Sequence, residues 1–83
     1  MVEKIIMKSE AKRVERFVFT KVYFSDGEAK WLESYEWLEE DEDGNPKWTV
    51  MHETRYMSTL DMYDFAGKLE SVGFERTEEG VAE

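Results

Sequence analysis

Apolar positions in this chain cluster into strand-like runs followed by one helical stripe. Between Arg13 and Phe24 the residues Val14, Phe17, Val18, Phe19, Val22, Tyr23 and Phe24 are β-branched or aromatic, a composition that favours an extended strand. Asp26-Gly27 then reads as a two-residue hairpin turn, because a type I′ turn needs φ > 0 at both central positions. A second strand is predicted from Glu28 to about Glu40, carrying Trp31, Leu32, Tyr35, Trp37 and Leu38. Asp43-Gly44-Asn45-Pro46 marks the next turn, and Trp48 to Met57 the strand after it.

The period changes at Ser58. Ser58 and Asp61 have the spacing of an N-terminal cap, and Asp61 and Asp64 suit the positive end of a helix. Met62, Phe65, Ala66, Leu69 and Val72 fall on one stripe at helical spacing, so a helix is predicted from about Thr59. Gly73 fits the left-handed residue that ends it, with Phe74 folding back as the hydrophobic contact. Leu60 and Tyr63 point off the stripe, where they read as a staple against the preceding loop or as a contact surface. At the N-terminus, Val2, Ile5, Ile6 and Met7 suit an edge strand and a single helical turn equally. Residues 1–76 are thus expected to form one α+β domain, an antiparallel β-meander of three to four strands with one C-terminal α-helix packed on one face. Residues 77–83, TEEGVAE, read as a disordered acidic tail.

Two-residue loops at both turns would set Val22 opposite Trp31 and Trp37 opposite His52, and that register assigns every side chain to a face. The helix would then cover Val18, Trp31, Tyr35 and Trp37, with His52 near the sheet centre. Phe17, Phe19, Tyr23, Leu32, Leu38 and Met51 would lie on the other face, interspersed with Lys21, Lys30, Glu36, Glu53 and Arg55. A half-apolar face of that extent marks a surface for a partner.

Charge and composition narrow the functions. With Lys plus Arg at 11 against Asp plus Glu at 20, the net charge is -9 in 83 residues, so direct binding to nucleic acid or an anionic membrane is disfavoured. The chain has 0 cysteines, which removes disulfides, thiolate zinc sites and thiol catalysis. Apolar runs are short, and with no transmembrane or secretory segment in view a cytoplasmic location is expected.

Few residues suggest chemistry. His52 is the single histidine, with no nucleophile near it in the sequence, and reads first as structural and second as a ligand contact. The run Glu39 to Asp43 with Asn45 resembles a calcium loop, but the position where that loop needs a bidentate Glu is His52, so a solvated hairpin tip is expected and no metal site is assigned. Trp31, Trp37 and Trp48 with Tyr35 and Tyr56 are read as core packing against the helix, or as an aromatic pocket beneath it.

From about Arg13 to Arg76 the order of motifs resembles the C-terminal part of class I S-adenosylmethionine-dependent methyltransferases. The resemblance runs through the hairpin strands, then His52-Glu53-Thr54-Arg55-Tyr56-Met57-Ser58, then a helix from Leu60-Asp61-Met62-Tyr63 to Leu69-Glu70-Ser71-Val72-Gly73-Phe74. It implies the antiparallel strands that accompany the cofactor-binding core. The glycine-rich loop of that core is missing, since Gly27, Gly44, Gly67, Gly73 and Gly80 are scattered, so no cofactor residue carries over and no cofactor is expected. The resemblance therefore implies a detached accessory element.

These observations converge on a non-catalytic protein-interaction module, a homodimer or a small subunit on a larger protein, with Phe17, Phe19, Tyr23, Leu32, Leu38 and Met51 as its partner-binding residues. One alternative is a small-molecule-binding domain with Trp31, Tyr35, Trp37 and His52 lining a pocket between helix and sheet. Another is an acidic protein that imitates nucleic acid at a basic site of its target.

Overall fold

The computed structural model describes residues Met1–Gly80. Strands β1 (Val2–Ser9), β2 (Glu15–Tyr23), β3 (Ala29–Glu40), β4 (Pro46–Val50) and β5 (Arg55–Met57) precede helix α1 (Thr59–Ser71), and β6 (Glu75–Gly80) follows it. All six strands join one antiparallel sheet in the order β4-β3-β2-β1-β6, with β5 pairing β3 beyond the end of β4. The α+β class and the antiparallel sheet agree with the sequence reading, but the strand number does not. The N-terminal segment is a strand inside the sheet, between β2 and β6.

The expected tail is also corrected as far as Gly80. Residues 77–80 belong to β6, paired with β1, while residues 81–83 lie outside the described residues. A segment so polar forms a strand because β1 would otherwise be left with an unpaired edge. Charge favours the pairing too: Glu75 lies opposite Lys8 and Glu79 opposite Lys4.

Register is the main departure from expectation. Lys21, not Val22, faces Trp31, and Val22 faces Lys30. The loop at 25–27 belongs to the three-residue class, a type I turn closed by a left-handed glycine. The Gly27 amide donates to Phe24 O at 3.0 Å, Gly27 has φ 87°, and the Phe24 amide donates to Glu28 O at 2.8 Å. Residues 41–45 repeat the design, with Gly44 at φ 80° and the Asp41 carboxylate accepting from the amides of Asp43 and Asn45, both at 2.9 Å. Asp-Gly serves both loop classes, and the extra residue shifts the first register by one position. Every cross-strand pairing of faces changes with it.

The core therefore differs from the one expected. Ile5, Met7, Phe19 and Trp31 lie on one sheet face and are fully buried beneath Met62, Ala66 and Leu69 of α1. Phe17 and Phe65 pack at the margin, their rings edge to face at 5.1 Å. Trp31 ties the layers together, its indole Nε1 donating to Thr59 Oγ1 at 3.1 Å at the start of α1.

Helix α1 follows the local signals closely. Ser58 is its N-cap, accepting from the Asp61 amide at 3.1 Å. At the other end Gly73 has φ 103°, its amide donates to Glu70 O and the Phe74 amide to Leu69 O, which together make a Schellman motif. Phe74 packs against the core as expected. Val72, counted in the stripe, is 71% exposed, and Leu60 stands in solvent at 80% instead of stapling a loop.

Candidate functional site

The third predicted strand is broken, and the break creates the most distinctive site. On the β3 edge Val50 pairs with Glu36 and Arg55 with Glu33, so residues 51–54 span the stretch that Ser34 and Tyr35 alone occupy on β3. The surplus chain bulges over the helix-side face, held at one end by the Met51 amide donating to Tyr35 O at 2.9 Å. His52 rides on this bulge. It is not paired with Trp37, which faces Thr49, and it is half-exposed instead of lying at the sheet centre.

Beneath the bulge sits Glu33, only 2% exposed, on the face shared with Trp31 and Tyr35. Its Oε2 accepts from Arg55 Nη2 at 3.1 Å and from Nε at 3.3 Å. Oε1 has no donor within hydrogen-bond distance among the described residues; His52 Nε2 stands 3.8 Å away. The imidazole stacks on Tyr35 at 5.3 Å, and its Nδ1 lies 3.0 Å from Glu53 O. Phe17, Tyr35 and Phe65 form the walls and His52, Glu53 and Arg55 the rim of a cleft of about 580 Å³ with Glu33 as its floor. A buried carboxylate is costly unless paired and hydrogen-bonded; Arg55 supplies that pairing at Oε2, while Oε1 faces the cleft.

The expected pocket residues separate in space. Tyr35 and His52 line the cleft, whereas Trp31 is in the core. Trp37 lies further along β3, where its indole donates to the Tyr35 hydroxyl at 2.8 Å and the Arg13 guanidinium stacks on it at 3.7 Å. The Tyr35 hydroxyl in turn donates to Glu15 Oε1 at 3.1 Å. Glu33 was not among the sequence candidates. A detectable signal was its place between Trp31 and Tyr35, a carboxylate flanked on the same side of β3 by two large aromatics.

The partner-binding set also divides. Phe17 and Phe19 turn toward α1 and are covered, correcting the face expected for them. Tyr23 is exposed at the sheet end, its hydroxyl donating to Glu3 Oε1 at 3.0 Å, and Met51 is exposed on the bulge. Leu32 and Leu38 remain on the face opposite α1. There they join Ile6, Val22 and Trp48, all half-buried, and Val18, which its sheet neighbours bury to 9% exposure; none of the four belongs to the cluster beneath the helix. At the margins of this open face Val50 and Tyr56 are 52% and 53% exposed.

Polar groups on the open face are ordered. Arg16 Nε donates to Glu36 Oε1 at 2.6 Å, Ser34 Oγ donates to Glu36 Oε2 at 2.9 Å, and the Arg16 guanidinium lies 3.9 Å from the centre of the Trp48 ring. The cations of this face, Lys4, Lys8, Arg16 and Lys30, stand on β1, β2 and the start of β3. Equal in number are its carboxylates Glu36, Glu40, Glu75 and Glu79, on β3 and β6. This face is therefore balanced in charge on a chain whose net charge is -9.

Among the described residues no helix is long and apolar enough to cross a membrane, and no group of His, Asp and Glu is arranged to hold a metal ion. Comparison with protein-family models, curated proteins and solved structures finds no match to this chain.

Proposed function

We propose that this chain is a non-catalytic interaction module that associates with a second copy of itself through the open face of its sheet. The observation that carries the reading is charge balance on an uncovered, half-apolar face. The rest of the chain carries the excess of carboxylates, whereas this face offers Ile6, Leu32, Leu38 and Trp48 among matched charges. The cations lie mainly on β1 and β2, and the carboxylates on β3 and β6 to either side. A twofold axis along β2 would carry β1 of one copy over β3 of the other, setting Lys8 near Glu36 and closing the assembly at two copies.

The test is sedimentation equilibrium at tens of micromolar, with the double variant Val50→Glu and Tyr56→Glu as control. Both positions are half-exposed, so the substitutions spare the core while placing unmatched charge on the face. The parent is expected at twice its 9.9 kDa mass and the variant at the monomer mass. A parent that sediments as a monomer throughout would refute self-association.

A further inference from the structure

On the opposite side of the sheet, away from the open face, the cleft over Glu33 has features that belong together chemically. Its floor is a carboxylate buried to 2% exposure, with Oε1 lacking a hydrogen-bond donor. Its walls are the rings of Phe17, Tyr35 and Phe65, whose faces carry negative quadrupole charge. The single cation seated there is the chain's own Arg55, whose guanidinium bonds Glu33 Oε2 and lies 6.0 Å from the Phe65 ring centre. Arg55 reaches in from a side chain that is 62% exposed, so it closes one side of the carboxylate and leaves the other facing the cleft.

We propose that this cleft is a binding site for a planar organic cation, an amidinium or guanidinium group that donates to Glu33 Oε1 and packs against the aromatic wall formed by Phe17, Tyr35 and Phe65. The favourable terms are a charge-assisted hydrogen bond in a site of reduced dielectric and cation–π contact with aromatic rings. His52, stacked on Tyr35 with Nε2 3.8 Å from Oε1, stands at the entrance where the cation passes. An anion is the poorer occupant, because it would meet the buried carboxylate head on. A neutral aromatic would fill the walls and leave Oε1 without a donor.

The probe is benzamidine, added to the isotopically labelled full chain and followed by NMR, with benzamide and benzoate as neutral and anionic controls of nearly the same shape. Benzamidine is expected to shift the resonances of Phe17, Tyr35, His52 and Phe65 saturably, and benzamide and benzoate to bind at least about tenfold more weakly, the factor expected when a charge-assisted hydrogen bond is lost. Glu33→Gln, which keeps the shape and removes the charge, should weaken benzamidine by a similar factor while its spectrum elsewhere stays that of the parent. Shifts from benzamide or benzoate equal to those from benzamidine would overturn the proposal, and so would the absence of any saturable shift. The comparison of the three probes on the parent decides the matter even if the variant fails to fold. Oligomeric state does not enter the readout, so failure here is distinct from failure of the self-association reading.

Discussion

Replacing Leu69 by alanine tests the packing of α1 on the sheet, and Val72 supplies an internal control. Both residues sit on the same helical stripe in the sequence, yet Leu69 is 7% exposed within the core cluster and Val72 is 71% exposed just past the helix end. Leu69→Ala removes three carbon atoms from a buried site. At about 0.8 kcal/mol per buried methylene the transfer loss alone is about 2.4 kcal/mol. A residual cavity adds to this, limited because Phe74, which packs against the same cluster, can shift toward the vacated space. The expected loss is therefore about 2.5 to 3.5 kcal/mol. Per-residue scaling puts the total stability of a chain this size at roughly 4 to 12 kcal/mol, so the variant sacrifices a large share of it. At about 4 to 8 °C per kcal/mol for a small domain, the midpoint of a thermal melt followed by far-UV circular dichroism should fall by about 10 to 28 °C. Val72→Ala should move it by no more than about 4 °C, since surface changes usually stay within ~0.5 kcal/mol. If the two variants melt together, the helix does not dock as described.

Two glycines give opposite signs under the same substitution. Gly67→Ala, in mid-helix with no atom within 4 Å of the added Cβ, should stabilise by about 0.5 to 1 kcal/mol, whereas Gly73→Ala, at φ 103°, should destabilise by about 1 to 2 kcal/mol; urea titration reads both. Ser58→Ala removes the acceptor of the Asp61 amide and should lower stability by about 1 kcal/mol in the same assay, while Ser58→Asp should retain most of it.

Local signals in this chain were readable to the residue. Helix α1 begins after Ser58 and closes at Gly73 because capping is settled by side-chain and backbone hydrogen bonds between near neighbours. Both hairpin turns lie where Asp-Gly marks them. The candidate site was only partly legible. Tyr35 and His52 were named for it, but Glu33 was not, because its burial comes from the bulge at 51–54 and from α1, and neither is encoded beside it.

What the sequence determined by itself is the kind and order of its central elements, strands and then a helix, since periodicity and caps are short-range properties. What only the tertiary structure decided is which faces meet. Both Asp-Gly loop classes satisfy the local chemistry, and the three-residue form prevails in a fold that gathers Phe17, Phe19, Trp31 and Tyr35 on one side, where α1 packs against Phe19 and Trp31. That one-position difference moves Phe17 and Phe19 out of the surface and into cover, and leaves Ile6, Val18, Leu32 and Leu38 as the open face. The same dependence on long-range context made strands of the termini: β1 is interior to the sheet because β2 and β6 pair with its two edges, and a run as polar as β6 holds an extended form only because β1 offers it an edge.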